Sequence, residues 1–191
     1  MNLDGQPFGP REFQLVMLRR MADYQPQLVE DARKRLDATA TEMRAINAAW
    51  QRRARSPRGL APGIRDLRQI LGDPTTEAAQ RVGDLDCRVL YWDLPLWPDL
   101  RFEALVGPGA FLISELLVRR PGTTAPTPQS REDLTPWTYV IGDVERAFAP
   151  VRHVEGSAPG RWTTLFTPGG GERLAADFVW GLLQEVRRLG D

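Results

Sequence analysis

Apolar residues recur every three or four positions in the first third of this chain, then run together or alternate in its middle. Phe13, Val16, Met17, Met21 and Tyr24 mark one face of a helix starting near Arg11, which Pro26 stops or kinks. Over residues 28 to 55, Val29, Ala32, Leu36, Thr39, Met43, Ile46 and Trp50 step by three and four, a heptad seam. One continuous helix over that range is roughly 40 Å long at the ordinary rise per residue. Because the seam includes Ala32 and Thr39 it is thin, and it needs a cover. The cover is either the first helix folded back or, as a coiled coil, another chain.

Residues 55 to 63, "RSPRGLAPG", read as a turn or linker. The stretch "IRDLRQILG" places Ile64, Leu67, Ile70 and Leu71 on one side of a short helix, with Gly72 as its C-terminal stop. A further short helix is predicted over 73 to 85, with Asp73 or Thr75 as its cap and Pro74 in its first turn. The β signal starts at "CRVLYWDLPLW" and continues through "LRFEALV" and "AFLISELLV". Gly107-Pro108-Gly109 joins the last two as a hairpin. Pro, Thr and Ser crowd an exposed loop at 121 to 130. Residues 137 to 142 and 161 to 167 read as strands, with a helical turn between them that ends before Pro150. Last, Leu174, Phe178, Leu182, Val186 and Leu189 predict a helix whose start carries Glu172. No internal repeat is visible.

These elements predict an α+β fold. Residues 1–58 form a helical arm or hairpin, and 64–191 form a domain with a small, mostly antiparallel or mixed sheet flanked by helices. An apolar fraction of 42% is enough for a core. The single cysteine, Cys87, fits a reducing compartment. The start has neither the basic nor the apolar region of a signal peptide, and no apolar run spans a bilayer. The expected location is the cytoplasm, with no membrane partner. Lys34 is the one lysine among 25 basic residues, which reads as the codon bias of a GC-rich, bacterial genome.

The formal net charge is zero, so the chain as a whole carries no basic footprint for nucleic acid. Arg52, Arg53, Arg55 and Arg58 are the densest phosphate-binding candidates, and any such binding is expected to be weak. The same arginines also suit a solvated helix end. One Cys and one His cannot build a metal cluster of the usual spacings, and no metal ligands or cofactor are expected. His153, with Asp143 and Glu145 as possible neighbours, reads as a surface or packing histidine. The "TPGGGE" stretch at 167 to 172 has no P-loop signature and reads as a loose start to the last helix.

"VLYWDLPL" followed by "LVGPGAFLI" resembles the nuclease-related domain, the NERD family, over about residues 75 to 122. The resemblance implies a restriction-endonuclease-like fold and chemistry in which carboxylates hold Mg²⁺ beside a lysine. Anchored on Gly-Pro-Gly, the family's aspartate falls on Phe102, its second acid on Glu115 and its lysine on Leu117. Glu77 stands for the acid of a preceding helix. Glu103 is one position from the aspartate, and on a strand that offset turns a side chain to the other face. Arg119 and Arg120 are the nearest substitutes for the lysine charge.

Three readings follow. The first is a non-catalytic, nuclease-like binding or assembly module. The second is an active, Mg²⁺-dependent nuclease using Glu77, Glu103 and Glu115, with Arg119 and Arg120 as cations. The third is a homo-oligomeric interaction module unrelated to nucleic acid, meeting itself or another protein through the helix at 28–50.

Overall fold

The computed structural model describes residues 2–3, 6–54, 63–156, 158 and 160–190. Contacts gather the chain into two units, one of Met1–Pro98 with Glu103–Ser114 and the other of Asp99–Phe102 with Glu115–Asp191.

The first unit opens with a small hairpin of β1 (Asn2–Leu3) and β2 (Gln6–Pro7). Then comes α1 (Pro10–Met21), which starts where proline is tolerated and where Glu12 reaches back to the Gly9 N–H at 2.9 Å. Phe13, Leu15, Val16, Met17, Leu18 and Met21 are all fully buried. Six consecutive residues, Phe13 to Leu18, are buried between charged ends at Arg11–Glu12 and Arg19–Arg20, and α1 packs against α2 (Pro26–Arg35) and α3 (Ala40–Ala54). Trp50 of α3 stacks on Phe8 at 5.4 Å and meets Phe13 edge-on at 6.0 Å.

The single helix expected over 28 to 55 is thus two helices, broken at 36–39. Thr39 and Glu42 explain the break. The Glu42 N–H donates to Thr39 Oγ1 at 3.0 Å, and the Thr39 N–H faces Glu42 Oε2 at 3.4 Å, a capping box at the start of α3. Arg11 closes the end of α2 by donating to the carbonyls of Leu36 (2.9 Å) and Asp37 (3.0 Å), and its remaining arm reaches Glu42 at 2.8 Å. Val29, Ala32, Met43 and Trp50 of the seam are buried, whereas Thr39 is exposed.

After the short helix α4 (Ile64–Leu71), placed as expected, the chain departs from the sequence pattern. Residues 76–82 are not helical: β3 (Thr76–Val82) pairs antiparallel with β4 (Leu85–Trp92) across a two-residue turn. Local helix propensity in "TEAAQR" loses to hairpin pairing around Gly83, whose φ of +58° suits a glycine. Next come β5 (Leu100–Val106) and β6 (Leu112–Arg119), joined by a 3-10 turn at Pro108–Ala110, so the expected hairpin is present. The sheet order is β3-β4-β5-β6, and the connections are too short for parallel crossovers.

The second unit contains α5 (Ile141–Phe148) and the strands β7 (Arg152–Glu155), β8 (Arg161–Phe166), β9 (Leu174–Val179) and β10 (Leu182–Arg188). They form a second four-stranded antiparallel sheet. The helix expected over 172 to 189 is therefore the hairpin β9–β10, and the glycine run at 169–171 lies in the β8–β9 connection. The expected strand at 137–142 is a turn with one bridge, Val140 to Leu182, running into α5. Phe148 and Phe166 stack at 4.8 Å in a core with Leu134, Tyr139, Val144, Leu174, Ala176, Phe178 and Leu183.

Among the described residues the fold is α+β with two four-stranded antiparallel sheets, besides the small β1–β2 hairpin, where one sheet was expected. Its connectivity repeats although its sequence does not: α4-β3-β4-β5-β6 and α5-β7-β8-β9-β10 are both a helix followed by a four-stranded meander. The two helices also start alike. Asp66 and Asp143 occupy the same third position, and each accepts from the backbone N–H just before its helix, Gly63 or Val140, at 3.0 Å. Among the described residues no helix is long and apolar enough to cross a membrane.

Candidate functional site

Phe102 and Leu117, standing where the resemblance asks for aspartate and lysine, are 0% and 1% exposed. Strand β5 alternates strictly, with Leu100, Phe102, Ala104 and Val106 inward, so half-buried Glu103 lies on the other face. Glu77 is on β3 rather than on a helix. Its carboxylate is held by two arginines, Arg68 of α4 and Arg88 of β4, each at 2.8 Å. Glu77 and Glu103 belong to the first unit, and Glu115, half-buried on β6, to the second. Among the described residues no three His, Cys, Asp or Glu side chains come together as a metal site.

The arginine candidates divide. Arg52 is exposed at the end of α3, while Arg53 is engaged by Asp66 at the start of α4. Arg55 and Arg58 lie outside the described residues. Arg119 and Arg120 line an open cavity of about 600 Å³ in the second unit, together with the loop 121–128, Asp143 and Arg146. Arg146 was not singled out from the sequence; it reaches the cavity because α5 places it three residues after Asp143. Both guanidinium groups converge on that one carboxylate, Arg119 at 2.6 Å and Arg146 at 2.5 Å. Arg119 also donates to the Thr138 carbonyl at 2.8 Å. Asp143 also caps α5, so one carboxylate ties Arg119, Arg146 and the start of that helix together. His153 pairs with Glu145 at 2.6 Å and touches Thr164 Oγ1 at 3.2 Å on the surface.

A different feature is a group of exposed apolar side chains. Among the described residues, Val82, Leu85, Phe111 and Ile113 are the large apolar side chains left exposed, at 38, 44, 53 and 39%. Val82 and Leu85 face each other across the β3–β4 turn, and Phe111 and Ile113 follow the β5–β6 turn. In a meander the first and third turns emerge at the same end of the sheet, and the β5–β6 turn does contact β4. Phe111 is shaped by Gly107: its backbone carbonyl accepts from the Gly107 N–H at 3.0 Å, and its ring fills the space a Cβ at that glycine would need. The sequence placed Phe111 and Ile113 beside a hairpin turn. Val82 and Leu85 were hidden inside a presumed helix, although Val-Gly-Asp-Leu carries a two-residue turn signal.

No family model matches the chain, and no curated protein does. A solved Streptococcus mutans structure described as a "putative beta-lactamase inhibitor protein" is similar at 13% identity, with a TM-score of 0.29, over 66% of this chain and 82% of that one.

Proposed function

We propose that this protein is a non-catalytic protein-binding module that presents its apolar hairpin tips to a partner. The observation carrying this reading is that four exposed apolar residues, Val82, Leu85, Phe111 and Ile113, flank two turns at the same end of one sheet. Exposed apolar side chains grouped on a rigid frame mark interaction sites, whereas scattered ones mean little. The burial of Phe102 and Leu117 supports the non-catalytic half of the reading, because an apolar core residue can neither bind Mg²⁺ nor stabilise developing charge. The resemblance to the nuclease-related domain then describes a frame without its chemistry, and the reading asks for no cofactor.

A photo-reactive residue placed at Phe111 tests it in cells. A discrete protein adduct at 111, absent when the same residue replaces exposed Glu185 on the second sheet, is the expected result. No adduct at 111 would sink the binding reading. Mg²⁺-dependent cleavage of DNA or RNA by the purified protein, abolished by Glu115→Ala, would overturn its non-catalytic half.

A further inference from the structure

The outer edge of the first sheet is unusual. Strand β3 is the edge of the order β3-β4-β5-β6, it runs for seven residues, and all seven are exposed. Its seven partners on β4 follow in unbroken register from Thr76↔Tyr91 to Val82↔Leu85, so no bulge bends it. It contains no proline and no lysine. Long, straight, unguarded edges offer a template for another strand, and proteins that avoid such pairing shorten, bend or charge them.

The two-residue turn decides which backbone groups face outward. The pair flanking such a turn exchanges both hydrogen bonds, and pairing then alternates along the ladder. Val82, Gln80, Ala78 and Thr76 therefore bond to β4. The N–H and C=O groups of Glu77, Ala79 and Arg81 point away from the sheet. The side chains of these three residues share one face.

We infer that β3 pairs antiparallel with the β3 of a second copy about a two-fold axis at Ala79, joining the two four-stranded sheets into one of eight. The side chains select the partner and the register. Centring on Ala79 sets Glu77 opposite Arg81 of the other copy, twice, because a two-fold contact uses each pair both ways. It sets Ala79 opposite itself, and exposed Val82 opposite Thr76. Centring on Glu77 or on Arg81 instead opposes like charges, which is unfavourable for directly facing strand residues. Arg81 is available for this pairing: among the described residues its guanidinium has only a 3.4 Å contact to the Gly83 carbonyl and no ion pair. Across its own hairpin it faces Asp86, and Ala79 faces Arg88. The row Asp86, Arg81 and the partner's Glu77 then alternates in sign, and Arg88, one pair along on β4, reaches Glu77 diagonally at 2.8 Å. Arg68 and Arg88 already approach Glu77 from α4 and β4, and Arg81 of the second copy approaches from the open edge.

This pairing rests on Glu77, Ala79 and Arg81; of the tip residues it engages only Val82, and Leu85, Phe111 and Ile113 take no part, so capture at Phe111 and dimerisation through Ala79 are separate readouts. Light scattering on size-exclusion fractions is the test. The wild-type protein should run at twice the chain mass at high micromolar concentration. Arg81→Glu should halve that mass, since glutamates then face each other. Ala79→Pro, which removes one outward N–H and no bond to β4, should do the same while circular dichroism stays unchanged. Mixing Arg81→Glu with Glu77→Arg should restore the doubled mass, because each copy then supplies what the other lacks. Ala79→Cys should give a disulfide-linked dimer on oxidation, Cys87 being buried. A monomeric wild type, or a dimer indifferent to Arg81→Glu and Ala79→Pro, would overturn the inference even if Phe111 captures a partner.

Discussion

The guanidinium of Arg119 meets the carboxylate of Asp143 at 2.6 Å, with the two side chains 14% and 4% exposed. That carboxylate serves three donors, Arg119, Arg146 and the Val140 N–H that opens α5. Asp143→Ala removes the cap and strands a largely buried cation, and losing one partner of a buried pair costs about 3–5 kcal/mol. Asp143→Asn keeps an acceptor for Val140 and should lose less. Arg146→Ala should cost under about 1 kcal/mol, its side chain being 67% exposed. Urea unfolding midpoints of the three variants should fall in that order. An Asp143→Ala protein as stable as wild type would remove the structural role assigned to Arg119.

Phe102 offers a check on whether an acid belongs at its position. Placing one there with Phe102→Asp should not create a metal site. The ring is fully buried, 6.2 Å from the Trp180 ring, and Phe→Ala at such a position already costs about 3–5 kcal/mol. A carboxylate adds its own desolvation penalty of several kcal/mol. Circular dichroism should find Phe102→Asp unfolded or molten, with Phe102→Leu folded and slightly less stable. A folded Phe102→Asp protein with Mg²⁺-dependent cleavage would mean that the acid belongs there.

A pH dependence follows from Glu42. The hydrogen bond from Arg11, reinforced by the Thr39 N–H and the Arg11 charge and opposed by burial, holds its carboxyl below the usual range. A group with a depressed folded-state pKa contributes stability that is full above its unfolded value, about 4.3, and is lost as pH falls through the folded value. Glu42→Gln keeps the capping box and removes the charge. At pH 7 it should unfold at lower urea than wild type, and the gap should close below about pH 4. A gap that persists at pH 3 would assign the effect to packing instead of charge.

What was legible in the sequence depended on whether one spacing admitted one structure. The face Phe13, Val16, Met17 and Met21 mixes steps of three and four, which only a helix satisfies, and α1 is there. The series Leu174, Phe178, Leu182, Val186 uses steps of four alone. Four is also a multiple of two, so Leu174 and Phe178 equally fit one face of a strand; in the hairpin β9–β10 that face continues through Leu183, opposite Phe178, and Val186, while Leu182 pairs with Val179 on the other face. Gly181 in its middle was the discriminating residue. The break between α2 and α3 was written as Thr-x-x-Glu at 39 and 42, but the heptad steps ran straight through it. The exposed tips were half legible: Gly-Pro-Gly marked Phe111 and Ile113, and helix propensity masked Val82 and Leu85. The ion pairs of Arg119 and Glu77 depend on partners 24 and 9 to 11 residues away, which no local pattern displays.

The turn at Trp180–Gly181 carries the last prediction. Both residues have positive φ, +53° and +75°, the geometry that lets a two-residue turn match the twist of its strands. Gly181 is also crowded: a Cβ there would lie 2.9 Å from the Leu117 carbonyl oxygen and 3.2 Å from the Leu117 nitrogen. Both are backbone atoms, which cannot swing aside as the tip of a side chain does. Strand β6 runs close by because the Leu117 N–H donates to the Trp180 carbonyl at 2.6 Å. Gly181→Ala therefore combines left-handed strain of about 1–2 kcal/mol with a clash that must move one backbone past another. Gly109→Ala is its control, since Gly109 has φ of +74° but a Cβ there would meet nothing within 4 Å. It should carry the conformational strain alone. Thermal melts should place Gly181→Ala well below Gly109→Ala. Equal melting temperatures would show that the approach of β6 to the turn adjusts without cost.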